Sequence, residues 1–276
     1  MGRRAGPDCL CAGTGATVLS FDEDIKACAD LVRQGDPERF RCVMAAPVET
    51  RPILFTLYAA NIEISRAPWV SAEAMIAEMR LQWWRDVGQE IATGAAVRRY
   101  FVTTPLARFA TPEMGQAIDD MAAARRWDIY RDAHGDEAAL FRYIDCTAGS
   151  LMWMGAAALG AVEQGPVRDY AFAAGLAAYL KAIPELEARK RVPLLDGRAE
   201  AVSTLAGQGL ARLSKARSQR HLVPKAARPA LLPGFEAEGL LRLAVKYPSR
   251  VVNGSLQLGP VRRHFLFSRQ ALTGHW

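Results

Sequence analysis

The chain has 276 residues, half of them hydrophobic and 23% charged, with a formal net charge of +6. A chain of this length and composition can bury a large core, in one domain or in two small ones. The charge is uneven: residues 1–180 hold 18 Lys/Arg against 23 Asp/Glu, a net of −5, and residues 181–276 hold 17 against 6, a net of +11. The basic part indicates either an anionic partner or a solvated basic face.

Cysteine and histidine usage excludes two kinds of site. The five cysteines are odd in number and scattered, which excludes a disulfide framework and indicates a reducing compartment. Cys9 and Cys11 have no second Cys or His pair near them, and the four histidines are dispersed, so no metal site is predicted.

Targeting and membrane-spanning segments are also not expected. No apolar run precedes the first predicted helix, so we expect no signal peptide. The longest uncharged stretch, 146–162, is shorter than the roughly 20 residues of a membrane span. We therefore expect a cytoplasmic protein without a transmembrane helix.

Helical patterns follow a polar, Gly-rich segment at residues 1–19, which is predicted to be a disordered tail. Ser20 is the expected N-cap of a first helix that ends at Gly35. The clearest helix begins after Ser71, where apolar residues recur at spacings of three and four until Gly94. Further helices are predicted at 50–66, 112–132, 136–161, 166–183, 199–216, 236–246 and 255–271. No strand-like alternation occurs, so residues 20–276 are predicted to form one all-α domain.

Two segments of the basic C-terminal third have the charge expected of an interaction surface. Arg212, Lys215, Arg217 and Arg220 cluster without interleaved aromatic residues or glycines, so nucleic-acid binding is not predicted. Residues 256–272 combine Arg and His with large apolar side chains. They predict an amphipathic helix that either contacts an anionic membrane or docks onto the protein's own core.

Three motifs, in this order and spacing, resemble the squalene/phytoene synthase family. They are the run Leu57-Tyr58-Ala59-Ala60-Asn61-Ile62-Glu63-Ile64-Ser65-Arg66, the run Arg80-Leu81-Gln82-Trp83-Trp84-Arg85, and the run Tyr143-Ile144-Asp145-Cys146-Thr147-Ala148-Gly149-Ser150. The resemblance covers most of the chain from about residue 36. It implies an isoprenoid-synthase-like helical bundle around a central cavity.

The chain departs from that family where the metal ligands are expected. Such enzymes ionise an allylic diphosphate with Mg²⁺ ions held by two facing clusters of carboxylates. Ser65, Arg66 and Trp69 stand at the first aspartate motif, while Leu186 and Lys190 stand at aspartate positions of the second. An arginine repels Mg²⁺ instead of binding it. The departures predict a protein without catalytic residues, bound metal or other cofactor.

An alternative keeps the chemistry with relocated ligands. Asp119, Asp120, Asp128 or Glu63 would then bind Mg²⁺ in a divergent prenyl transferase that condenses prenyl diphosphates in isoprenoid biosynthesis. By resemblance, Asp128 corresponds to a family aspartate outside both metal motifs.

Several residues are candidates for a cavity lining or a partner contact. They are Tyr58, Asn61, Glu63, Arg80, Trp84, Asp128, Tyr143, Gly149 and Tyr179. Aromatic residues at helical spacing fit the wall of a prenyl-chain cavity or a plain hydrophobic core. A residual prenyl-lipid ligand, and hence a lipid carrier, is a third hypothesis.

One branch of the family lacks the metal motifs and includes the mitochondrial complex I assembly factor. Its lead-in and following helix resemble 59–64 (AANIEI) and 79–84 (MRLQWW) of this chain. The resemblance implies a non-catalytic binding or assembly factor for a respiratory NADH dehydrogenase. Its expected partners are a protein, an anionic membrane surface or both, with a peripheral location on the inner membrane face.

Overall fold

The computed structural model describes residues 19–71, 73–130, 132–160 and 162–276. Across these ranges the regular structure is helical and contains no strand, which confirms the all-α prediction. The tail predicted at 1–19, including Cys9 and Cys11, lies outside the described residues except for Leu19, whose side chain is buried.

Thirteen α-helices follow one another along the described chain. They are α1 (Glu23–Gly35), α2 (Pro37–Ala45), α3 (Arg51–Arg66), α4 (Ala74–Thr93), α5 (Thr103–Leu106), α6 (Pro112–Ala124), α7 (Glu137–Ile144), α8 (Ser150–Leu159), α9 (Gln164–Ala188), α10 (Ala199–Ser218), α11 (Ala237–Lys246), α12 (Ser249–Val252) and α13 (Pro260–Thr273). The longer 3₁₀ segments are Arg125–Asp128 and Lys225–Gly234, and a π-helical turn spans Asp145–Gly149.

Capping residues define the start of α1 and the end of α4, and one of the two differs from the prediction. The N-cap of α1 is Asp22, whose carboxylate accepts a hydrogen bond from the Ile25 amide at 3.0 Å. Ser20 was predicted to cap this helix, and that prediction was wrong because the aspartate two residues later satisfies the free amide. Gly94 ends α4 with a φ of +70°, as predicted, since glycine adopts this conformation without steric cost.

Two predicted helices are interrupted. The helix predicted at 112–132 ends at Ala124 and continues as the 3₁₀ turn Arg125–Asp128. The helix predicted at 136–161 is split into α7 and α8 by the π-helical turn, in which the Thr147 hydroxyl donates to the Tyr143 carbonyl at 2.6 Å. Such turns are common at functional sites, and this one lines the cavity described below.

Helix α9 does not end before Pro184, although its predicted range was 166–183. It continues to Ala188 with Pro184 inside it. A proline removes one helical hydrogen bond. The preceding Leu180 and Ile183 are fully buried and hold this part of the helix against the core. The continuation carries Glu185, Leu186 and the following residues to the cavity.

Helices α3 and α9 contribute much of the buried core. Most side chains of α3 are buried, and it packs against α1, α2 and α8. Helix α9 packs against α8, α10, α11 and the π-helical turn. A single cluster of buried apolar residues extends from Leu19 to Trp276. Within the described residues, no helix combines the length and hydrophobicity required to cross a membrane.

Candidate functional site

A cavity of about 590 Å³ lies between α3, α9 and the π-helical turn. Much of its wall consists of apolar or small side chains. These are Ile62, Ile144, Ala148, Leu151, Met152, Ala171, Ala174, Gly175, Ala178 and Ala182. A cavity of this size can hold a small-molecule ligand, and this part of the wall suits an apolar group.

The polar lining of the cavity comes from the carboxyl-terminal turns of α3 and α9 and from residues 35–39 and 125–128. We call this lining the polar end; it comprises Asp36, Arg39, Ser65, Arg66, Trp69, Arg125, Asp128, Glu185 and Arg189. Four of these nine residues are arginines. The carboxylates among them have arginine partners: Asp36 pairs with Arg39 at 2.5 Å and Glu185 with Arg189 at 2.7 Å.

The segment at the first aspartate motif contributes the Ser65 hydroxyl and the unpaired guanidinium of Arg66 to the polar end. The Ser65 hydroxyl donates to the Ile62 carbonyl of its own helix at 3.1 Å. Arg66 is exposed and makes no ion pair or side-chain hydrogen bond with any residue the structure describes. Its guanidinium lies against Gly35, where an added Cβ would be 2.8 Å from Nη2. The first motif therefore presents positive charge to the cavity.

Trp69, the third substituted position of the first motif, contacts the chain that follows α9. The guanidinium carbons of Arg189 and Arg191 lie 4.6 Å and 5.0 Å from the centre of its ring. Arg191 also donates to the Asp128 carbonyl oxygen at 2.7 Å. The ends of the two motif helices are thus joined by cation–π contacts.

Of the two residues at aspartate positions of the second metal-binding motif, Leu186 lines the cavity and Lys190 does not. Lys190 is exposed and has a φ of +62°. Neither residue supplies an oxygen ligand, so neither can hold a divalent cation.

Asp128 and Tyr143 form a buried polar network with Arg125. The Tyr143 hydroxyl donates to the Asp128 carboxylate at 3.1 Å, and Arg125 Nη1 lies 3.1 Å from the same carboxylate. Burial by itself lowers the pKa of Arg125, but Tyr143 and Asp128 outweigh it and raise that pKa. Burial raises the pKa of Tyr143. Asp128 is therefore engaged by a fixed cation.

Tyr179 lines the cavity, and His134 lies behind it and Tyr143, outside the lining. The Tyr179 hydroxyl donates to the Pro193 carbonyl at 2.7 Å, so its oxygen accepts from His134 Nε2 at 3.2 Å, which assigns the hydrogen to Nε2. The imidazole is stacked on Trp127 with ring centres 4.2 Å apart. Burial lowers the pKa of His134 to about 4. His134 is therefore neutral at pH 7.

The structure brings only some of the predicted site residues together. Tyr58, Asn61, Asp128, Tyr143 and Tyr179 line the cavity. The remaining four lie elsewhere: Glu63 accepts from Tyr100 at 3.4 Å, Arg80 is exposed, and Trp84 and Gly149 are buried outside the lining.

Sequence reasoning missed Arg125, His134 and Arg189. A lone Arg or His has no recognisable motif, and tertiary packing alone brings Arg125 to Tyr143, His134 to Tyr179 and Arg189 to Trp69. Arg125 had one local signal, because an arginine three residues before an aspartate can pair with it along a helical turn.

The residues present do not fit a Mg²⁺–diphosphate site. Among the described residues no group of three or more His, Cys, Asp or Glu side chains is arranged to hold a metal. The acids considered as relocated ligands have separate partners: Asp119 pairs with Arg85 at 2.5 Å, Asp120 accepts from Gln116, and Asp128 pairs with Arg125.

Comparison with curated proteins finds assembly factors. The human protein "NADH dehydrogenase (ubiquinone) complex I, assembly factor 6" is 24% identical over 263 residues, covering 83% of this chain and 76% of that protein. The Drosophila melanogaster homolog of that factor is 30% identical over 187 residues, covering 62% of this chain and 53% of its own.

Comparison with solved structures finds isoprenoid synthases. A dehydrosqualene synthase in complex with ligand superposes with a TM-score of 0.72 at 15% identity, covering 90% of this chain and 95% of that one. The squalene synthase HpnC from Alicyclobacillus acidocaldarius superposes with a TM-score of 0.67 at 17% identity, covering 81% and 93%. At these identities the likeness shows the fold alone.

A family model described as squalene/phytoene synthase matches residues 32–194, more than half of the chain. This range contains the three sequence motifs, α2 to α9 and most of the cavity lining. The chain therefore belongs to the squalene/phytoene synthase family.

Proposed function

We propose that this protein is a non-catalytic member of its family and acts as a binding or assembly factor for a respiratory NADH dehydrogenase. The similarity to complex I assembly factor 6, which extends over 83% of the chain, supports this function.

The main support for the absence of turnover is the contact between the carboxyl-terminal ends of α3 and α9. Arginine and tryptophan side chains join these ends, where an active enzyme needs metal-binding carboxylates. Ionisation of an allylic diphosphate requires divalent cations between the two acidic clusters. Here Arg66 lies at one helix end, and Trp69 is bracketed by Arg189 and Arg191 from the other. A Mg²⁺ ion would meet positive charge at this site, so we propose that the protein uses no metal cofactor.

We further propose a peripheral location on the inner face of the membrane that contains the NADH dehydrogenase, with a protein partner. The positive charge of residues 181–276 supports contact with an anionic surface.

The cavity supports a retained ligand even without catalysis. Its apolar walls suit a prenyl chain, and the unpaired guanidinium of Arg66 suits an anionic head group. We propose a residual prenyl-lipid ligand bound without metal.

Turnover is tested by pyrophosphate release from the purified protein with farnesyl or geranylgeranyl diphosphate and Mg²⁺ or Mn²⁺. An active squalene/phytoene synthase serves as the positive control. We expect no release from this protein. Release that chelator abolishes would overturn the proposal and establish the alternative, a divergent prenyl transferase, which the surviving cavity supports.

The assembly role is tested by deleting the gene in the source organism and separating membrane complexes on native gels stained for NADH dehydrogenase activity. We expect the fully assembled complex to decrease and smaller intermediates to accumulate, with recovery by the wild-type gene. Recovery by an Arg66→Asp/Trp69→Asp variant would show that these side chains are dispensable for assembly. Unchanged complex in the deletion strain would refute the assembly role.

A further inference from the structure

One face of helix α13 packs against the rest of the protein. Arg263 forms ion pairs with Glu236 and Glu38, the Gln270 amide donates to the Leu231 carbonyl at 3.0 Å, and Phe267 packs edge-to-face on Phe235. The helix therefore docks onto the protein's own core, which is one of the two alternatives given by the sequence. These contacts all use this one side of the helix.

The opposite face of α13 carries an exposed apolar stripe. The relative exposures of Val261, Phe265 and Leu272 are 83%, 61% and 86%. Successive helical residues are about 100° apart, so these three side chains fall within one narrow stripe, and Arg263, Phe267 and Gln270 fall on the other side. The stripe is therefore not needed to attach the helix.

Two arginines beside the stripe have no acidic partner among the described residues. Arg262 and Arg269, seven residues apart, lie along one edge of the stripe, and both are exposed. Neither forms an ion pair or a side-chain hydrogen bond within the described part of the chain. Helix α13 itself contains no Asp or Glu. Its outer face is therefore positively charged and apolar at once.

Elsewhere in the basic third, several cations are neutralised locally. Arg212 pairs with Asp145, Lys215 with Asp169, and Arg217 with Glu238. More positive charge lies near the end of α13, where burial and the nearby guanidinium groups of Arg228 and Arg269 lower the pKa of Arg220. The unbalanced charge of this region is thus partly concentrated around α13.

We propose that the outer face of α13 is a contact surface for an anionic lipid bilayer. Val261, Phe265 and Leu272 enter the head-group region, and Arg262 and Arg269 bind lipid phosphates. An interfacial helix buries its apolar side at the acyl boundary while basic residues beside it reach the head groups. The two kinds of side chain on α13 are arranged for those two layers of one surface.

This inference deepens the membrane location in the proposed function but does not depend on the assembly role. The test is sedimentation of the full chain with vesicles of phosphatidylcholine alone or of equimolar phosphatidylcholine and phosphatidylglycerol. We expect binding to the anionic vesicles only, weakened by added salt because exposed charges are screened.

Two variants and a matched control locate the surface. The variants Arg262→Glu/Arg269→Glu and Val261→Ser/Phe265→Ser/Leu272→Ser should each reduce binding about tenfold or more, since charge and apolar insertion both contribute. The control, Met75→Ser/Met79→Ser, removes two exposed apolar side chains of α4 that lie beside Glu73 and Glu78. It should bind like the wild type. Thermal unfolding of each variant checks that the fold is intact.

Hydrogen exchange of the wild-type protein provides a readout that needs no variant. Anionic vesicles should slow exchange in 260–273 while exchange in α4 is unchanged. Absence of vesicle binding, equal binding to neutral vesicles, or equal binding by the α13 variants would overturn the inference. If the wild type does not bind vesicles and the α13 variants no longer bind a protein partner, the outer face of α13 is a protein interface. The membrane inference then fails and the assembly role still stands. If vesicle binding holds and NADH dehydrogenase assembly is normal in the deletion strain, only the assembly role fails.

Discussion

The guanidinium of Arg189 lies 4.6 Å from the ring centre of Trp69. These residues belong to the two segments in which the family's metal-binding carboxylates are expected. Arg191 lies 5.0 Å from the same ring, so the indole contacts two cations. A contact of this kind holds the two helix ends together without metal and adds positive charge at the polar end of the cavity.

Replacement of Trp69 by alanine should destabilise the protein. The variant loses both cation–π contacts and the packing of a large aromatic side chain, and we expect the free energy of unfolding to fall by about 1–3 kcal/mol. Urea denaturation at neutral pH measures this change. Glu185→Gln is the control: it removes only an exposed ion pair with Arg189 and should have an effect below about 1 kcal/mol. An unchanged midpoint in Trp69→Ala would show that the contacts contribute nothing.

Replacement of Asp128 by alanine should be more damaging, because it leaves the Arg125 cation without its carboxylate. The loss of one partner of a buried pair costs about 3 kcal/mol or more. Asp132→Ala is the matched control; Asp132 is exposed and the substitution should change stability by less than about 0.5 kcal/mol. Equal midpoints for the two variants in urea denaturation would contradict a structural role for Asp128.

Acidification should destabilise the protein through His134. Its pKa is lowered to about 4 in the folded state, from 6.5. The unfolded chain therefore binds a proton that the folded protein excludes. The resulting stability is present above pH 6.5 and is lost as the pH falls toward 4, at up to about 1.4 kcal/mol per pH unit.

His134→Phe removes the titrating group and keeps an aromatic ring against Trp127. Urea denaturation between pH 6.5 and 4.5 should show a smaller loss of stability in this variant than in the wild type. Parallel pH profiles would show that other groups cause the acid sensitivity.

Gly175 marks a close contact between α9 and the π-helical turn. A Cβ at this position would lie 2.5 Å from Ala148 Cβ and 2.9 Å from Ile144 Cγ2. Gly175→Ala should therefore destabilise the protein by about 1–3 kcal/mol despite the better helix propensity of alanine. Gly207 lies inside α10 with no atom near its added Cβ, so Gly207→Ala should raise stability by about 0.5–1 kcal/mol. Thermal unfolding of both variants distinguishes the two effects, and a stabilised Gly175→Ala would refute the contact.

Much of the fold follows from local patterns that the sequence displays. The apolar spacing of α4 and its terminal Gly94 predicted that helix correctly, because periodicity and end signals act within a few residues. The errors lie where tertiary packing overrides a local rule. Pro184 is carried inside α9 because buried neighbours hold the helix, and the π-helical turn interrupts a segment that reads as one continuous helix.

The candidate site was only partly predictable for a related reason. Tyr58, Asn61, Asp128, Tyr143 and Tyr179 were predicted as candidates and line the cavity. Glu63, Arg80, Trp84 and Gly149 lie within the three family motifs but outside the lining. A motif fixes residue type and order, whereas the side of a helix that faces a cavity depends on the neighbouring helices.

The sequence by itself determined the all-α class, the family motifs and the loss of carboxylates at the two metal-binding segments, since these depend on residue identity and spacing. Only the tertiary structure decided that a cavity of about 590 Å³ remains and that arginines surround Trp69. It also decided that α13 leaves its apolar, positively charged face uncovered. The Arg191–Asp128 hydrogen bond spans 63 positions of the chain. Contacts of that range arise from the packing of whole helices, and no local pattern encodes them.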